Sequence, residues 1–277
     1  MNITISFKFR NLGLIVTCVS LIASTPSFGD VETGLKFLDD GQIKEAVEAF
    51  QTAFENGDGD AAFYLGRLFE VGVGIDPDPK QAAQLYSAGV EKDSVLSKLQ
   101  LGIMHLDGTA ILRDYSRAKE LICEAADAGN ADAQLTCGAL FRDGKGVEKD
   151  MAMAISYWKK SAEQDNIAAY NLIAQAAISE ENEAPDYILA KKYFEMTANA
   201  GNSMGLFETA KIYADEKFGV PEMVTAYKFV NLAVLAGHPE ANAFRDTLEN
   251  QMSPSDILLG QQQAREWVSK PISDTES

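Results

Sequence analysis

Histidine and cysteine carry most metal, redox and nucleophilic chemistry, and this chain of 277 residues has two of the first and three of the second. His105 and His238 are too far apart in sequence for helical metal-ligand spacing, and no C-x-x-C pair occurs. No G-x-S-x-G elbow is present to expose a nucleophilic serine. Gly72-Val73-Gly74 lacks the lysine and the preceding strand that a phosphate loop needs. Glu180, Glu181, Glu183, Asp186 and nearby Glu195 crowd one stretch, but the oxygen spacing and central glycine of a calcium loop are missing, so a solvated acidic loop is expected. Paired carboxylates are weak evidence for acid–base work in a chain with 41 acidic residues. These patterns predict no catalytic residue, no metal site and no cofactor. Cys123 and Cys137 lie almost symmetrically about Gly129-Asn130, where antiparallel helices would bring them level. An even count after residue 29 allows a disulfide in an exported protein.

The elements that hold these residues repeat. Slid along itself by 36, the chain aligns Gly72, Gly108 and Gly144, and aligns Ala82, Ala118, Ala154, Ala190 and Ala226. A large apolar column runs Tyr86, Ile122, Trp158, Phe194, Val230. Such a period is the mark of a stacked array. Within residues 131–166, Ala133, Cys137, Leu140 and Phe141 make one helical apolar face, and Met151, Ala154, Ile155, Trp158 and Ala162 make another. Gly138 leaves room on the first face for the second helix to approach. Gly144 and Gly146 end the first helix in the left-handed conformation that glycine accepts. The unit is therefore helix, loop, helix, and it must stack on its copies to bury its faces. The columns weigh against the disulfide: Cys137 replaces Leu65 and Leu101, but Cys123 aligns with Ser87, Lys159, Glu195 and Asn231, an outward polar column. A disulfide and a buried free thiol both stand as readings. His105 shares its column with Phe69, Phe141 and Tyr213, which predicts a core or rim side chain, and His238 falls in a turn between units.

The pattern carried by Ala133, Cys137, Gly138, Phe141, Gly144, Gly146, Val147, Ala154, Trp158 and Ala162 resembles the Sel-1-like repeat family, relatives of tetratricopeptide repeats. Five units fit it, at 59–94, 95–130, 131–166, 167–202 and 203–238. The last two depart in their loops, where Gly144 is matched by Glu180 and Glu216. The fold class expected is all-α, a right-handed α-solenoid of 36-residue helix-loop-helix repeats. Residues 30–58 read as an N-terminal tetratricopeptide-like cap, with helices over Val31 to Leu38 and Gln42 to Asn56. Residues 239–270 read as C-terminal capping helices, one starting at Pro239 and one capped by Ser253. Residues 271–277 read as a polar tail. The closing run of Arg245, Asp246, Leu248 and Ala264 to Trp267 is similar to the ends of bacterial members.

Residues 1–29 read as a signal peptide. Lys8 and Arg10 precede an apolar run, Leu12 to Ile22, too short to span a bilayer. Ser27 and Gly29 suit cleavage before Asp30. An uncleaved anchor, or lipidation at Cys18 behind the unsuitable Thr17, are the weaker alternatives. The expected location is periplasmic or secreted. Net charge is −17, and removing Lys8 and Arg10 from it leaves −19. That argues against nucleic acid and anionic membrane as partners, since both need a basic footprint. The resemblance implies a monomeric scaffold or adaptor for a protein partner, without stable membrane insertion, of the sort that regulates envelope signalling or assembly. Its concave face would be lined by first helices. The varying positions there are Tyr64 and Arg67, Gln100 and Ile103, Thr136 and Ala139, Leu172 and Gln175, and Glu208 and Lys211. A cysteine-rich branch of the family, some of whose members act on β-lactams, implies the alternative of a cell-wall or β-lactam enzyme.

Overall fold

Every described element is helical, because the apolar residues recur at three and four along each segment. The structure, a computed structural model, describes residues 30–179 and 184–272. Residues 1–29, including Cys18 and the proposed cleavage residue Gly29, lie outside them, as do Glu180, Glu181 and Glu183. No strand occurs among the described residues. The described residues form two compact units that divide after Asp150.

The first unit holds α1 (Val31–Asp39), α2 (Ile43–Glu55), α3 (Gly59–Val71), α4 (Pro79–Val90), α5 (Val95–Asp107), α6 (Tyr115–Asp127) and α7 (Ala131–Asp143). Each helix packs on the next, and α3 also touches α5. Phe50, Leu65, Tyr86, Leu101 and Leu121 form a continuous core, all buried. The small-residue column works as its spacing implies. A Cβ on Gly66 would overlap the Tyr86 ring, and one on Gly102 would overlap Ile122. Glycine on the first helix thus makes space for the large residue 20 positions on.

The second unit holds α8 (Met151–Ala162), α9 (Ile167–Ala177), α10 (Tyr187–Asn199), α11 (Ser203–Ala214), a short 3-10 helix (Glu216–Phe218), α12 (Met223–Leu235), α13 (Ala241–Glu249) and α14 (Pro254–Glu266). Its core joins Leu206, Ala210, Tyr227, Val230 and Leu248. Pro239 does not open α13 as the sequence suggested. It lies in the preceding turn, and the helix starts at Ala241. Ser253 does cap α14, accepting from Asp256 N.

Two columns of hydrogen bonds repeat with the 36-residue period. In the first, the residue before each second helix donates its N–H back to a first-helix carbonyl. The pairs are Asp78 to Phe69, Asp114 to His105, Asp150 to Phe141, Asp186 to Ala177 and Glu222 to Tyr213, at 2.8–3.0 Å. The bond persists in the two units that lack the loop glycine, so their helices still meet at the same place. In the second column, Asp58, Ser94, Asn130, Asn166 and Asn202 each cap a first helix by accepting from its N–H groups.

Candidate functional site

The first helices position a polar cluster in the first unit. Tyr64 is half-buried, its ring stacked on Phe50 at 5.2 Å. Burial, then the charges of Asp60 and Asp58, push its hydroxyl above the ordinary tyrosine range. One turn along α3, Arg67 pairs with Glu70 at 2.8 Å. Glu70 also accepts from Tyr86 Oη at 2.6 Å and from Gln100 Nε2 at 3.0 Å. Arg67 of α3, Tyr86 of α4 and Gln100 of α5 therefore converge on one carboxylate. Burial first, then the bond to and charge of Glu70, hold the Tyr86 hydroxyl well above its usual range. Arg67 keeps 44% of its side-chain surface exposed, so the cluster presents a cation to solvent.

The remaining predicted positions are less organised. Ile103 is half-buried on α5. Thr136 turns its hydroxyl onto the Asp132 carbonyl of its own helix at 2.7 Å. In the second unit Leu172 is half-buried, Gln175 is exposed on α9, and Lys211 on α11 pairs with Glu208 at 2.9 Å. Each unit thus offers its own stretch of first-helix surface. Arg67 and Gln100 meet on Glu70, Tyr64 stacks on Phe50 one turn before Arg67, and the others stand singly or in local pairs.

Glu70 escaped the sequence reading although it holds the cluster together. Its column reads Glu70, Leu106, Arg142, Ile178 and Ala214, and varies as the neighbouring columns do, one turn further along. The aspartates before the second helices were also missed, and their period of 36 was the available signal.

Cys123 and Cys137 are joined by a disulfide, with Cα atoms 5.2 Å apart across the α6–α7 turn. The outward placement of Cys123 is corrected, since its side chain is buried. Helix α6 packs against both α5 and α7, so two of its faces are covered and Cys123 lies on the second. His105 is a rim residue, its Nδ1 3.2 Å from the Leu112 carbonyl of the following loop. His238 occupies the cap column after Asn202. It stacks on Phe207 at 4.0 Å and accepts from Glu240 N at its Nδ1. Among the described residues no cluster of His, Cys, Asp and Glu is arranged to hold a metal, and no helix is long and apolar enough to cross a membrane.

Comparison with known proteins agrees with this architecture. The family model described as Sel1 repeat matches residues 59–94, 95–130, 131–166 and 181–202. No curated protein matches the chain. A Sel1 repeat protein from Oxalobacter formigenes is similar in structure, with a TM-score of 0.73 at 21% identity, over 87% of this chain and 98% of that one. A protective antigen of uropathogenic Escherichia coli that displays an SLR fold gives a TM-score of 0.55 at 18% identity. That match covers 89% of this chain and 62% of the antigen. At such identities the likeness carries the fold alone. Three whole repeats and the latter part of a fourth are matched, on helix pairs of the same period, so the chain carries Sel1 repeats over residues 59–166 and 181–202.

Proposed function

We propose that the chain is an exported scaffold or adaptor that binds a protein partner across the first helices of its repeats and serves an envelope signalling or assembly complex. Sel1-repeat proteins generally mediate protein–protein interaction. The observation that carries the reading is the cluster of Arg67, Tyr86 and Gln100 around Glu70. A pre-ordered cation and amide on an otherwise repetitive frame suit recognition, because little side-chain entropy remains to be lost on binding. The disulfide supports export, since such bonds persist in oxidising compartments and are rare in the cytosol. Asp30, the residue expected to follow cleavage, caps α1 by accepting from Thr33 N, so a cut before it would leave the first helix complete.

The test is crosslinked capture from the envelope of the exporting cell, comparing wild type with a combined Tyr64→Ala, Arg67→Ala, Gln100→Ala and Ile103→Ala variant. The variant is expected to lose the partner while its circular dichroism stays helical. Equal capture by both would remove this part of the first-helix surface from the reading. N-terminal sequencing of the exported protein should begin at Asp30, and an intact Met1 on a cytosolic chain would overturn the export.

A further inference from the structure

The second unit carries a surface whose charge opposes that of the molecule. The first turns of α10 and the 3-10 helix Glu216–Phe218 enclose an open groove of about 410 Å³. Its floor is apolar, with the Tyr187 ring edge-on to Phe218 at 5.0 Å. Ile188 stands at its lip, 86% exposed on a helix whose other apolar residues are mostly covered. Three lysines surround it, Lys191, Lys192 and Lys217, against one carboxylate, Glu195. That carboxylate is already engaged. It accepts from Tyr213 Oη at 2.6 Å and lies 3.9 Å from Lys191. Lys191 and Lys192 rest over the rings of Tyr213 and Tyr193. Among the described residues, neither Lys192 nor Lys217 has a carboxylate within ion-pair distance, and both are exposed. A groove with net positive charge thus sits on a chain of net charge −17.

We infer that this groove binds an acidic linear segment of a protein partner, with an apolar side chain on Tyr187, Phe218 and Ile188 and flanking carboxylates on Lys191, Lys192 and Lys217. This rests on the reading of the chain as a protein-interaction scaffold, but uses a second-helix surface distinct from the first-helix cluster. The apolar floor supplies burial, and the lysines supply orientation and a faster approach. The field of the whole molecule repels an acidic peptide, so any binding must come from the local arrangement rather than from general attraction.

Fluorescence anisotropy with the full chain decides it. The probe is a labelled, end-capped peptide of four acidic residues around a central phenylalanine. Saturable binding is expected, weakened at least about tenfold by Lys192→Glu with Lys217→Glu, and weakened by added salt through screening. Ile188→Ser should weaken it less, and the same peptide with amides in place of acids should not bind. Circular dichroism of the variants checks that the fold is kept. Absence of binding, or equal binding by the lysine variant, overturns the inference. So does tighter binding of phosphatidylglycerol vesicles through the same lysines, which would make the surface a lipid contact. The Arg67→Ala, Gln100→Ala pair should leave peptide binding unchanged. Failure of the peptide with envelope capture intact therefore removes the groove alone, and the reverse removes the first-helix face alone.

Discussion

Tyr86 shows how one side chain serves both packing and polarity. Its ring fills the space beside Gly66, and its hydroxyl reaches Glu70. Replacing it by phenylalanine keeps the ring and removes a hydrogen bond to a charged acceptor, which costs about 1.5–3 kcal/mol in general. Because Arg67 and Gln100 still satisfy Glu70, the lower end, about 1.5 kcal/mol, is expected by urea denaturation at neutral pH. The variant should also change the pH dependence. The native hydroxyl titrates above its ordinary value of 10.0, so above that pH the unfolded chain releases a proton that the folded chain retains. The contribution is complete below pH 10.0 and falls as pH rises towards the folded value. Tyr86→Phe should therefore lose less stability than wild type between neutral and strongly alkaline pH. An unchanged alkaline slope would show that this hydroxyl is not held by Glu70.

At the scale of the element, the turns between repeats hold the pattern in register. Gly57, Gly129, Gly201 and Gly237 take positive φ at one point in the period. Asp93 and Asp165 take it at the same point, with φ of 58° and 59°. Aspartate tolerates this conformation better than most residues, which explains its presence in a glycine column. Nothing lies within 4 Å of a Cβ built on Gly129. Gly129→Ala therefore isolates the backbone cost, expected at about 1 kcal/mol. Its neighbour Asn130 caps α7 by accepting from Ala133 N at 2.8 Å. Asn130→Ala should cost about 1 kcal/mol for the lost cap. Thermal melts of both variants check these values, and a neutral Gly129→Ala would mean that the turn relaxes to another conformation.

At the scale of the molecule, stacked repeats gain stability from neighbours, so a local loss stays local. The disulfide spans 14 positions of sequence. Closing a loop of that length stabilises by about 3 kcal/mol in the chain-entropy account. A Cys123→Ala, Cys137→Ala variant should lose about that much in denaturant melts, as should wild type with reductant. Hydrogen exchange should rise most in α6 and α7, and little in α13 and α14. Uniform loss of protection across all helices would show that the molecule unfolds as one cooperative body instead. Reductant without effect would mean that the thiols are free in solution.

The helices, their pairing and most of their ends were written in the sequence, because in a repeat array nearly every contact joins neighbours in the chain. A column at 36-residue intervals reports on the same local environment each time. That is why Gly66, Gly102 and Gly138, the caps at Gly72, Gly108 and Gly144, and the large residues from Tyr86 to Val230 could be read directly. Positions whose role depends on a further helix were not legible. The column of Cys123 reads as outward on one face of α6, yet α7 covers that face and the side chain is buried. Glu70 stands in a column without a repeated type, and only the approach of α5 to α3 gives it Gln100 as a partner. His238 stands in the capping column, yet its ring accepts from Glu240 N in the turn before α13 and leaves the helix itself without a side-chain cap. The groove of the second unit needs Phe218, carried in by a 3-10 helix where the repeat departs from its loop glycine, set against the start of α10. Sequence alone determined the periodic frame through local packing, whereas tertiary structure decided which exposed groups share one surface, because that depends on the rotation of each helix against its neighbours.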